Sequence, residues 1–242
     1  MGRLGAALQG GRWIAAAFVL TLVLRAPAAW LPLPQGGALA VSGATGHLLA
    51  GTVQLAYRGQ PLGALSWHLT RPETLALPLR LSLEGPTLTL QGMAQLRPGS
   101  WTLSIPQLAL SSTALKQWLS PYEIAPEGEI QGRDVRVEGA GQTLTMVGGT
   151  LRWTGGPVRY RLGGATFEPT FPPLSAELGR NAQGAAAATV ASPAGPVLDF
   201  ALRGNGWVDL SIKKRLLTLA RSPAPEGLGE DAQVLALSEK VF

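Results

Sequence analysis

The stretch LRLSLEGPTLTLQGM, residues 79–93, decides the fold. On both sides of Gly85-Pro86, apolar and polar residues alternate with a period of two. This alternation is typical of strands that bury one face and leave the other in solvent. Gly-Pro is turn chemistry, and two strands joined by so short a turn must be antiparallel neighbours. We therefore expect a β-hairpin here.

The same pattern recurs along the rest of the chain. Glycine-rich turns separate further alternating segments, which are DVRVE (134–138), QTLTMV (142–147), VRYRL (158–162), VLDFALR (197–203) and WVDLSIK (207–213). Residues 179–196 are small and polar, and we expect one thin strand there. The sequence predicts an all-β domain over residues 36–242, a long twisted antiparallel meander that forms a sandwich or an open half-barrel.

One segment has a helical pattern instead. In SSTALKQWLSP, residues 111–121, Ser111 or Ser112 can cap a short helix, and Pro121 ends it. Leu115, Trp118 and Leu119 share one face. We expect one short helix, a lid or crossover, midway through the sheet. The segments at 51–69 and 148–162 are weakly similar, so a division into two sub-repeats near residues 110–122 stays open.

The N-terminal residues predict export. The run WIAAAFVLTLVL, residues 13–24, has no charge, and residues 13–33 would be about 31 Å long as a helix, enough to span a bilayer. We expect a cytoplasmic tail at 1–12 and a transmembrane anchor at 13–33, with Trp13 and Trp30 near the interfaces. Ala26-Pro27-Ala28 leaves a cleaved signal peptide as the alternative. In both cases Arg3 and Arg12 keep the N-terminus cytoplasmic.

Composition argues against two classes of function. The net charge is +5, but three arginines flank the N-terminal apolar run, and without them 17 basic residues face 15 acidic ones. This near balance of charge does not predict the strongly basic surface that nucleic-acid binding requires. The chain has no cysteine, so it has no disulfide, no catalytic thiolate and no cysteine-ligated zinc.

Catalytic patterns are missing as well. His47 and His68 are the only histidines, 21 positions apart and without a carboxylate at metal-ligand spacing. His68 follows Trp67 on an alternating segment, so their side chains should point to opposite faces. No nucleophile elbow, P-loop or dinucleotide-binding glycine pattern is present. We expect no enzyme, no cofactor, no metal and no small-molecule substrate.

The order of several motifs resembles a known family. GHLLAGTV, LGALSWHLTRP and GGTLRWTGG follow one another after the N-terminal apolar run, and this arrangement is similar to the type II secretion system protein N family. The motif positions are Gly46, Gly51, Leu62, Gly63, Leu65, Trp67, Leu69, Pro72, Trp153 and Gly155. A late Gly-x-Gly-Trp segment, which ends at Trp207, also looks similar.

The resemblance implies an accessory component of the Gram-negative type II secretion machine. It would be a single-pass inner-membrane protein with its β-domain in the periplasm, in contact with the secretin or the inner-membrane platform. The motif residues would then be structural or interaction residues, and Trp67 would anchor a β wall. Exposed sheet edges recruit further strands, so the expected mode of contact is strand addition or sheet-face contact.

Two alternatives come from other classes of protein. A periplasmic lipid-binding or lipid-transfer module would need an open apolar groove, lined by Leu79, Leu81, Leu83, Leu88, Leu90, Leu144 and Met146. A hydrolase would need His47 or His68 beside a serine and a carboxylate, and no such constellation is visible in the sequence. The two binding functions differ in the exposure of these apolar residues. They would line an open groove in a lipid-binding module and interlock in a closed core in a secretion component.

Overall fold

The computed structural model describes residues 27, 39–71, 76–141, 143–204 and 206–240. The expected anchor at 13–33, apart from Pro27, and the motif residue Pro72 lie outside these residues. Among the helices of the described part, none combines the length and the apolar character that a membrane span requires. The described chain is mostly β-structure, as the alternating segments predict.

Among the described residues, thirteen strands form one open antiparallel sheet. Its order follows the chain, which confirms the antiparallel meander. The strands of this sheet are β1 (Leu39–His47), β2 (Ala50–Tyr57), β3 (Gln60–Leu69), β4 (Leu77–Glu84), β5 (Leu88–Arg97), β6 (Ser100–Leu110), β8 (Ile130–Ala140), β9 (Thr143–Trp153), β13 (Leu174–Arg180), β14 (Ala186–Ser192), β15 (Gly195–Leu202), β16 (Trp207–Lys213) and β17 (Gln233–Lys240). Strands β1 and β17 stand at its two ends.

A smaller sheet interrupts the meander. It contains β7 (Ile124–Pro126), β10 (Gly156–Leu162), β11 (Ala165–Phe167) and β12 (Thr170–Phe171). The segment VRYRL is therefore a strand, but it belongs to this sheet and not to the meander. Gly155 and Gly156 have φ of +80° and +137°, and this left-handed turn takes the chain off the large sheet. Strand periodicity alone does not tell which sheet a strand joins.

The expected short helix is present as α1 (Ser112–Leu119). Ser111 caps it, and its hydroxyl accepts from the Ala114 amide at 3.4 Å. Leu115 and Ala114 are buried in a cluster that also contains Leu110. A second helix, α2 (Lys214–Leu219), follows β16 directly and was not predicted, because Lys213, Lys214 and Arg215 indicate only charge.

The register gives the large sheet two chemically different faces. On the apolar face, one row of paired positions runs from β2 to β17, through Val53, Leu65, Leu83, Leu90, Leu108, Gly132, Leu151, Ala176, Val190, Leu198, Ile212 and Leu235. Adjacent strands lie about 4.8 Å apart, so the row is roughly 50 Å long. The neighbouring row on the polar face contains mostly hydroxyl, amide and charged side chains.

One end of the apolar face is covered. There Ala114 and Leu115 of α1 form a buried cluster with Leu110, and Leu88, Ile130 and Trp153 pack against this cluster. Phe171 of the small sheet contacts the Trp153 ring at 6.1 Å between centroids. At the opposite end, Leu77 and Leu96 are 48% and 42% exposed. The apolar face is thus closed at one end by a second layer and open at the other.

Candidate functional site

The first Trp motif forms one compact contact. Trp67 and Gly51 are paired on neighbouring strands, and a Cβ on Gly51 would lie 2.5 Å from Trp67 Cζ2. The indole N–H of Trp67 donates to the Leu48 carbonyl at 2.9 Å. Gly46, which is paired with Gly51, has φ of +88° and closely approaches the Ala50 backbone. Three motif residues therefore build a single corner of the sheet.

The same arrangement occurs twice more. Trp101 lies against Gly139 of the paired strand and donates its indole N–H to the Gly141 carbonyl at 3.1 Å. Trp153 donates to the Glu127 carbonyl at 2.8 Å, and a Cβ on Gly128 would lie 2.9 Å from its Nε1. In each case a glycine makes room for a tryptophan whose N–H reaches a loop carbonyl. This satisfies the one polar group of each indole.

The other motif residues are spread over the sheet. Leu62 is buried, Gly63 has φ of +133°, and Leu65 and Leu69 lie on the apolar face of β3. Gly155 is in the turn that leads to the small sheet, and Trp207 begins β16 with 37% exposure. The structure brings Gly46, Gly51 and Trp67 together, but the three Trp motifs do not converge on one site.

The expected groove residues divide between the two faces. Leu79, Leu81, Leu83, Leu88, Leu90 and Leu144 lie on the apolar face. Met146 is paired with Glu138 on the polar face and is 41% exposed, so that part of the expectation is wrong. A bulge in the pairing of β8 with β9 changes the register by one residue, so Leu144 and Met146 point to opposite faces.

The two histidines lie on the same face of the sheet, and the sequence did not predict this proximity. His47 and His68 are each paired with Ala50, one from either side, so they flank it on the polar face. His68 is exposed and Trp67 lies on the opposite face, as the alternation predicts. Nowhere in the described chain do three or more histidine, aspartate or glutamate side chains gather as a metal site. Pairing through an intervening strand could not be inferred from periodicity.

The polar face carries a broad depression of about 700 Å³. Its floor includes Ser82, Gln91, Gln107 and Arg133, which are paired across β4, β5, β6 and β8. These hydroxyl, amide and guanidinium groups can form hydrogen bonds with another protein surface. The lining also includes Thr89, Ala109 and Gln131, so polar side chains of four neighbouring strands surround the depression.

Strand β17 is held to the sheet partly through charge. Asp209 accepts two hydrogen bonds from Arg203, at 2.5 and 2.6 Å, and one from the Ser238 hydroxyl at 2.6 Å. The Arg203 hydrogen bond is the main reason why the pKa of Asp209 is lowered from its ordinary value of 3.8, and the Ser238 bond adds to it. This cluster joins β16 to β17 and to Arg203, the residue that follows β15, on the polar face.

The two edge strands of the sheet, β1 and β17, differ in how regular they are. Strand β1 has a register shift between Ser42 and Thr45, and its last residue, His47, forms a bridge with Pro27. Strand β17 is regular over residues 235–240, and within the described part of the chain it is paired on one side only. Its apolar side chains Leu235 and Leu237 are 45% and 49% exposed. Bulges and proline protect an edge, and β17 has neither over these residues.

We compared the chain with protein-family models, with curated proteins and with solved structures, and none of the three comparisons finds a match.

Proposed function

We propose that the chain is an accessory inner-membrane component of the type II secretion system. In this role its periplasmic β-domain contributes a contact surface to the machine, which exports proteins across the outer membrane. The partners are the secretin or the inner-membrane platform. The protein acts by binding and not by catalysis.

The observation that carries this proposal is the joining of three motif residues in one contact. Gly46, Gly51 and Trp67 are three of the motif residues that carry the resemblance to protein N, and they form a close-packed corner with a satisfied indole N–H. This contact holds strands β2 and β3 and the turn before β2 in a fixed arrangement. The polar face on the opposite side of the sheet then offers side chains for protein contact, with His68, Gln107 and Arg133 exposed on it.

A secretion assay tests the proposal in cells. Deletion of the gene should lower the amount of type II secretion substrates in the medium and raise their amount in the periplasm. The full chain should restore export, and a chain with Gln107→Glu and Arg133→Glu on the polar face should restore less. A matched variant, Leu162→Gln on the small sheet, should restore export fully, since Leu162 is exposed away from that face. Unchanged export without the gene would refute the proposal.

The open apolar face favours a second candidate, a periplasmic module that shields acyl chains. Apolar residues follow one another across the sheet for roughly 50 Å. At the uncovered end, Leu77 and Leu96 are paired with one another and are largely exposed. An apolar surface of this extent marks an interaction site for lipid or protein.

A photoactivatable fatty acid tests this second candidate on the detergent-purified full chain. Leu96→Glu places a charge at the open end and should abolish labelling of the apolar face. Leu162→Glu is the matched control, because Leu162 is similarly exposed at 50% but belongs to the small sheet. Equal labelling of wild type and both variants would count against an acyl site on this face.

A further inference from the structure

We propose that the β17 edge pairs with β17 of a second copy of this chain, around a two-fold axis normal to the sheet. The inference rests on the edge strand itself and not on the secretion assignment. Over residues 235–240 this edge has neither a bulge nor a proline, and its charged residues, Glu239 and Lys240, lie at the C-terminal end.

The pairing follows from the order of residues in β17. In an antiparallel pair, directly opposed residues point to the same face. If Ala236 is opposed to Ala236 of the second copy, Leu235 is opposed to Leu237 and Leu237 to Leu235. The apolar row of each copy then continues across the seam, since Leu235 ends that row in one copy.

Charge supports the same register. Glu239 and Lys240 are the only charged residues of β17, and they lie at its C-terminal end. In this pairing they lie at the two outer ends of the seam, far from the same residues of the other copy. A strand shifted so that Glu239 is opposed to Glu239 would place like charges together, which is unfavourable. Next to the central Ala236 pair, Ser238 is opposed to Val234, which lies at the register shift near the start of β17, so the regular part of the seam is residues 235–237.

The other edge is unsuited to this role. Strand β1 has positive φ at Gly43 and Gly46 and a register shift between Ser42 and Thr45. Pro27, which has no backbone N–H, bridges its last residue. Pairing through β17 therefore ends in a closed dimer instead of a chain of copies that joins β17 to β1.

Cysteine crosslinking of the full chain in mild detergent tests the register directly. The native sequence has no cysteine, so Ala236→Cys creates a single thiol. Opposed residues of an antiparallel pair have Cα atoms about 4.5–5.5 Å apart, within the range of a disulfide. Mild oxidation should give a covalent dimer. Gln131→Cys, exposed in the middle of the sheet, and Ser42→Cys, exposed on β1, should stay monomeric.

A second variant tests the pairing without a covalent bond. Leu237→Lys introduces a charge at the seam, so light scattering should show a monomer at concentrations where the wild type is a dimer. Leu228→Lys is the control, because Leu228 is 43% exposed but lies in the loop before β17, and it should remain a dimer. A monomeric wild type, or a crosslink from Ser42→Cys and none from Ala236→Cys, would overturn the proposal.

Discussion

The indole ring of Trp67 lies against Gly51 of the neighbouring strand so closely that no side chain fits between them. The same ring donates its N–H to the Leu48 carbonyl at 2.9 Å. Trp67 therefore joins two strands and the turn between β1 and β2 through one side chain. The stability of the N-terminal part of the sheet should depend on this contact.

Gly51→Ala should destabilise the protein by roughly 1–3 kcal/mol, which is the usual cost of overpacking. The new Cβ would lie 2.5 Å from the Trp67 ring and 2.6 Å from the Thr45 carbonyl oxygen, and neither a rigid ring nor backbone yields easily. Urea unfolding of the full chain in detergent measures the effect. Gly148→Ala is the matched control, since nothing lies within 4 Å of its Cβ position, and it should unfold at or above the wild-type midpoint.

Trp67→Phe should cost about 1–3 kcal/mol, because it leaves the Leu48 carbonyl without its indole donor while an aromatic ring remains on the apolar face. Combined with Gly51→Ala, the two losses should be less than additive, since the smaller ring makes room for the new methyl group. A double-mutant cycle in urea measures this coupling. Strict additivity would mean that the ring and the glycine do not interact.

Leu115→Ala should destabilise the protein by about 2–5 kcal/mol, since Leu115 is 9% exposed and belongs to the cluster that fastens α1 to the sheet. Thr113→Ala, on the exposed side of the same helix, should change little. Thermal unfolding followed by circular dichroism distinguishes the two. If both variants behave alike, α1 does not cover the apolar face as the contacts indicate.

The attachment of β17 should weaken in acid. The pKa of Asp209 in the folded state is lower than its ordinary value of 3.8. The stabilisation from its bonds with Arg203 and Ser238 is therefore fully present above pH 3.8, and it is lost as the pH falls through the lowered pKa. Hydrogen exchange of residues 233–240 should therefore speed up in that window after correction for the intrinsic rate. Asp209→Asn should show fast exchange already at neutral pH and a flatter profile.

A matched carboxylate provides the control for that experiment. Glu123 forms an exposed ion pair with Arg161, away from the large sheet, at 3.2 Å. Glu123→Gln should leave the pH profile of residues 233–240 unchanged. A profile that flattens equally in both variants would assign the effect to overall charge and not to Asp209.

Much of this fold can be predicted from the sequence because its signals are local. The alternation in residues 79–84 and 87–93 predicts strands and their faces, and the serine before Leu115 and Trp118 predicts α1. The separate sheet around VRYRL could not be predicted, because pairing partners depend on the left-handed turn at Gly155 and Gly156. The face of Met146 was missed for a similar reason, since a bulge in β9 leaves no periodic signal.

Less of the candidate site than of the fold could be predicted from the sequence. Trp67 and its glycines are visible as a motif, but the contact of Trp67 with Gly51 depends on register. The pairing of both histidines with Ala50 likewise requires three strands in place. Strand β17 was not predicted, because the apolar run Val234–Leu237 does not alternate cleanly, and its position at the edge of the described sheet depends on the order of all the strands.

In-cell photocrosslinking tests the assembly claim most directly. A photoreactive residue replaces His68 on the polar face or Trp207 at the start of β16, both of which are exposed, and mass spectrometry identifies everything that is captured. We expect capture of the secretin or an inner-membrane platform protein, with loss of the His68 product when Gln107→Glu and Arg133→Glu are present. Capture of phospholipid or lipopolysaccharide alone would contradict it and assign the protein to lipid transport.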